Sequence, residues 1–105
     1  MPMLKTLGSA VDMTATGATD AVELGHTPFF PGGNAILRLS APIGGAGVIQ
    51  VQGADKAAGP WTTLTTVNAA AGTDVEIVSL PRFIRLNKST AGTGTIANAY
   101  LEGVQ

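Results

Sequence analysis

The fourteen glycines and six prolines of this chain are spread along its whole length. Glycine and proline both break helices, and no stretch between them keeps apolar residues at helical spacing over three turns. What they separate is a series of short runs with a period of two, the pattern of strands with one buried face. Val22 and Leu24 share a face in residues 20–24. Leu37 and Leu39 point inward in residues 35–40, with Arg38 outward. Ile49 and Val51 do so in residues 47–53, with Gln50 and Gln52 outward. Residues 61–67 carry Leu64 in a β-branched run. Val75 and Ile77 lie together in residues 74–79, opposite Glu76. Ile84 and Leu86 point inward in residues 82–88, with Arg85 outward, and residues 94–102 form the last strand.

Regularly spaced short strands with glycine-rich connectors predict an all-β fold. It is an antiparallel β-sandwich, jelly-roll or immunoglobulin-like, of about seven to eight short strands. Ser89-Thr90-Ala91-Gly92-Thr93-Gly94 reads as a hairpin loop that makes the last two strands antiparallel neighbours. Pro81 closes the strand before them. A chain of 105 residues is one domain's worth. Residues 20–105 form the sandwich, and residues 1–19 form an N-terminal arm or an edge strand. Leu4, Leu7, Val11 and Met13 are apolar there, but residues 14–19 look like loop.

Charge narrows the functions. Only 12% of residues are charged and the net charge is −1. Nucleic-acid binding needs a basic stripe to displace counterions, and attachment to anionic membranes needs a basic patch. Neither partner is expected. No segment approaches an apolar membrane span, and the N-terminus lacks the apolar run of a signal peptide. Synthesis in a cytoplasm is the expectation. With no cysteine, disulfides and thiolate metal sites are excluded. A surface of Thr, Ala and Gly costs little to desolvate, which suits a protein covered by neighbours.

Enzymatic chemistry lacks its parts. His26 is the only histidine, so no histidine metal cluster can form. Ser9, Ser40, Ser79 and Ser89 lie outside any nucleophile-elbow motif. Glu23 and Glu76 fall on outward strand positions, where a solvated or ion-paired face explains them. The Gly44–Gly47 and Gly92–Gly94 segments lack the lysine and helix of a phosphate loop. The reading is a non-enzyme, with no catalytic residue, cofactor or metal ligand assigned.

Two segments suit contact with other proteins. Phe29 and Phe30 are adjacent, between Pro28 and Pro31, so they cannot both point inward. One can plug the core while the other is exposed, and an aromatic on a proline-stiffened loop loses little entropy on docking. The N-terminal segment with Leu4 and Leu7 can order against a neighbouring subunit. Leu4, Leu7, Phe29 and Phe30 are therefore the candidate interface residues. Trp61, the only tryptophan, is read as closing the core at the start of a strand.

Residues 48–67, in which Val51-Gln52-Gly53-Ala54-Asp55 leads through Gly59 to Trp61-Thr62-Thr63-Leu64, resemble a theme in small phage virion proteins. Residues 82–102, with Arg82-Phe83-Ile84-Arg85-Leu86, a Thr/Ala/Gly turn and Tyr100-Leu101-Glu102, resemble its companion. The likeness covers the C-terminal half and is one of pattern, with no invariant site residues. It resembles capsid decoration (cement) proteins and some tail or fibre modules. That resemblance implies a homo-oligomer, a trimer in preference to a dimer, bound to the major capsid protein on the virion surface. A tail or host-recognition module is the alternative.

Overall fold

A computed structural model describes residues 4–25, 29 and 32–103. The strands are β1 (Leu4–Asp12), β2 (Gly17–Ala18), β3 (Val22–Glu23), β4 (Ala35–Leu39), β5 (Val48–Ala54), β6 (Thr62–Asn68), β7 (Asp74–Ile77), β8 (Phe83–Thr90) and β9 (Thr95–Gly103). One short 3-10 turn, Ala69–Ala71, follows β6, and the Asn68 side chain caps it by accepting from the Ala70 N–H. The fold is all-β, and every ladder is antiparallel.

The strands form two sheets. One runs β1-β9-β4-β7; the other runs β2-β8-β5-β6, with β3 also on β8. Counted as one interrupted strand, β2 and β3 give a topology in which only β5 and β6 are both consecutive and paired. An immunoglobulin-like sandwich would pair consecutive strands repeatedly within each sheet. The order found here is that of a double-Greek-key jelly roll.

The predicted strands over 35–40, 47–53, 61–67, 74–79, 82–88 and 94–102 are β4, β5, β6, β7, β8 and β9, within a few residues. Their alternation puts Leu37, Leu101 and Ile77 from one sheet against Ile49, Val51, Ile84 and Leu86 from the other, all essentially inaccessible to solvent. That layer is the hydrophobic core, and its burial is the main favourable term in folding.

Two expectations are corrected, for residues 91–94 and for Trp61. Residues 91–94 do not close a hairpin. They carry the chain from β8 in one sheet to β9 in the other, because Thr93 bridges to Gly44 and the Gly92 N–H bonds the Met13 carbonyl at 2.6 Å. Trp61 does not close the core. It lies half-buried on the outer face of the second sheet, its ring 4.3 Å from the Arg85 guanidinium. Gln52 points outward as expected but is only 9% exposed, since Arg85 and Gln50 bond its amide. Leu64 is 36% exposed because β6 is bulged there: Thr65 pairs with Val51 and Thr63 with Gln52, which leaves Leu64 without a partner in the ladder.

Within the N-terminal segment, Leu4–Asp12 form an edge strand. β1 pairs with β9 from Leu4↔Glu102 to Asp12↔Thr95, and Leu7, Val11 and Met13 are buried in the core. A truncation of residues 1–15 therefore removes three core side chains together with any contact surface.

Candidate protein-contact surface

The outward positions of the first sheet form two rows across its strands. Leu4, Glu102, Ile36 and Glu76 are in register in one row; Thr6, Tyr100, Arg38 and Asp74 are in register in the other. Arg38 lies between two carboxylates, 3.0 Å from Asp74 and hydrogen-bonded through Nε to Glu102. The Glu102 bond, with the nearby Asp74 charge, holds the Arg38 guanidinium above its already high value, so it stays cationic throughout. Such exposed pairs add little to stability; what they do is fix the side chains of the face. Three carboxylates against one guanidinium leave it acidic. Leu4, which is 56% exposed, is its apolar margin.

The outer face of the second sheet is different. Arg85 Nε donates to Gln52 Oε1 at 2.8 Å, Gln52 Nε2 to Gln50 Oε1 at 3.4 Å, and Asn87 Nδ2 to the same Gln50 oxygen at 3.1 Å. Trp61 caps this row by lying against Arg85. It is an ordered strip of amides carrying one cation.

The four sequence-predicted contact residues do not share one surface. Leu4 is exposed. Leu7 faces inward and is 4% exposed, because the β1 register shifts between Thr6 and Gly8 and Leu7 is the extra, bulged residue. Phe29 is 5% exposed and belongs to the core, and its carbonyl accepts from the Gly25 N–H at 2.9 Å. Leu7 and Phe29 thus act as core side chains, and of the candidates that are described Leu4 alone is exposed. Phe30 and His26 lie outside the described residues. The outward set of Ile36, Arg38 and Tyr100 was readable as alternation. Their alignment with Leu4 needed the β1–β9 register, which no local pattern encodes.

Where β1 ends, Asp12 Oδ1 accepts from the Thr14 hydroxyl at 2.6 Å and from the Thr14 N–H at 2.9 Å. These bonds, the hydroxyl's first, hold the Asp12 carboxyl below its ordinary value of 3.8. A depressed carboxyl stabilises the fold above its unfolded value, and that contribution is lost as pH falls through the folded one. Asp12→Ala should therefore lower the melting temperature at pH 7, and the gap to wild type should narrow below pH 3.8. Thermal melts across the acid range check this; a gap of constant size would exclude the carboxylate as its source.

Between β1 and the β2–β3 segment is an open cleft of about 440 Å³, lined by Thr6, Leu7, Gly8, Ser9, Ala18, Thr19, Asp20 and Val22. Among the described residues, no group of His, Cys, Asp and Glu converges to hold a metal ion, and no helix is long and apolar enough to cross a membrane. No protein-family model, curated protein or solved structure matches the chain.

Proposed function

We propose that this protein is a bacteriophage capsid decoration (cement) protein, a homo-oligomer that binds the major capsid protein on the virion surface and reinforces the head. The observation that carries the reading is the outer face of the β1-β9-β4-β7 sheet. Leu4 there is exposed at the end of a row that runs through Glu102 to Ile36, on a strand anchored by Leu7 and Val11. An apolar margin on a rigid sheet docks without the cost of ordering a chain. The low overall charge and the likeness of the C-terminal half to decoration proteins support the same reading. Attachment would be multivalent, each weak contact gaining from those already made by other subunits.

The test is co-sedimentation with bare capsids. Leu4→Asp should weaken attachment by about tenfold or more, as the loss of an apolar anchor does, and leave the melting temperature unchanged. Wild-type-like attachment by this variant would remove the face from consideration, and wild-type protein that binds no capsid would sink the reading.

The ordered amide row beside Trp61 favours a second reading, a tail or fibre module for host recognition. Amides next to an aromatic ring suit sugar hydroxyls. Binding to a glycan array, abolished in Trp61→Ala, would move the assignment there.

A further inference from the structure

A β-sandwich has four sheet edges, and each presents unpaired N–H and C=O groups on which another strand can form. In this protein three of the four are blunted. β7 spans only Asp74–Ile77 and carries Asp74 and Glu76 on its exposed positions. β2 and β3 have two residues each, interrupted by residues 19–21 and flanked by the carboxylates of Asp20 and Glu23. β1 is longer, but it is turned by Ala10 at φ 50° and bears the ionic side chains of Lys5 and Asp12.

β6 is built differently. It pairs with β5 on one side only. It is seven residues long, Thr-Thr-Leu-Thr-Thr-Val-Asn, and four of the seven are threonine. The chain carries no charged side chain anywhere from residue 57 to residue 73. Beyond the bulge at Leu64, the register from Thr65 to Asn68 is unbroken. Among the described residues, two of the three exposed large apolar side chains, Leu64 and Val78, belong to the β6 and β7 side of the molecule. An ideal Cβ on Gly53 would come within 3.2 Å of the Leu64 side chain and 2.7 Å of Pro81, so Leu64 and Pro81 border the same inner margin.

We infer that β6 is the site at which a second copy of this chain adds, antiparallel and strand to strand, so that two β2-β8-β5-β6 sheets become one continuous sheet. The edge's own chemistry names its occupant: a row of backbone donors and acceptors is satisfied by an extended strand. A second copy fits because a two-fold axis at Thr66 places Thr66 opposite Thr66. Thr65 then faces Val67, and both lie on the inner side of the sheet, opposite Val51 and Ile49. No like charges meet across such a junction, whereas β7 or β1 would bring ionic groups together. The two-fold makes the unit a dimer, in place of the trimer expected from sequence. The inference deepens the homo-oligomer part of the reading above and is independent of capsid attachment.

Light scattering and native mass spectrometry of the purified protein test it. Wild type should be a dimer. Thr66→Lys, at an exposed position, should be a monomer with an unchanged circular-dichroism spectrum, because two ammonium groups would face each other across the axis. Ser9→Lys, on the exposed surface of β1, should remain a dimer. Hydrogen exchange of the wild type should show the amides of residues 62–68 better protected at high protein concentration than at low. A wild type that is monomeric at every concentration, a trimer, a Thr66→Lys dimer or a Ser9→Lys monomer would each overturn the inference. A stable dimer that binds no capsid would overturn only the decoration reading.

Discussion

Leu37→Ala should lower the stability of the domain by about 3–5 kcal/mol, the upper part of the range for buried leucine truncations. Leu37 is fully buried on β4, the central strand between β9 and β7. It is in register with Leu101 on one side and Val75 on the other. The site can collapse little, because ladders on both sides hold its neighbours, so the deleted methyl groups leave a cavity that stays open. Small domains hold only about 5–15 kcal/mol in all. The variant should therefore lie near the threshold of folding, with a melting temperature lower by about 10 °C or more. Urea denaturation checks this: the midpoint should fall while the slope is kept. A midpoint within error of wild type would mean that the two sheets do not close over Leu37.

Gly92→Ala should cost about 2–3 kcal/mol although it adds a single methyl group, because overpacking here meets backbone. Three segments cross at Gly92: the end of β1, the 43–47 turn and the 91–94 crossover. The added Cβ would fall 2.8 Å from the Gly47 Cα and nitrogen, and on top of the Gly44 carbonyl oxygen. These atoms cannot rotate away as a side chain would. Relief requires the segments to part, which loosens Gly92 N–H to Met13 O at 2.6 Å, Thr93 N–H to Gly44 O at 3.1 Å and Met13 N–H to Gly94 O at 3.0 Å. Hydrogen exchange should quicken first at Met13 and Thr93, before the sheets are affected. A stable variant with unchanged exchange at those two amides would contradict the close crossing.

The two predictions probe the parts of the fold that were most and least legible in the sequence. Leu37 lies where alternation was strict, and a period of two is a direct consequence of one buried sheet face. β4, β5, β7, β8 and β9 were readable for that reason. Gly92 looked like an ordinary turn glycine, since turn chemistry is the same whether a loop closes a hairpin or crosses between sheets. β1 was obscured by the bulge at Leu7 and the left-handed Ala10, which interrupt the alternation of Leu4, Leu7, Val11 and Met13. Trp61 misled for a related reason: apolar character predicts burial on average, but a cation against the ring can hold such a side chain at the surface. Of the candidate contact residues that are described, only Leu4 is exposed.

The pairing of β1 with β9 joins two strands that lie far apart along the chain. The β1 ladder, which holds Leu7 and Val11 in the core, can form only once residues 95–103 are present, so the first sheet closes through a contact of high sequence separation, a step that is intrinsically slow.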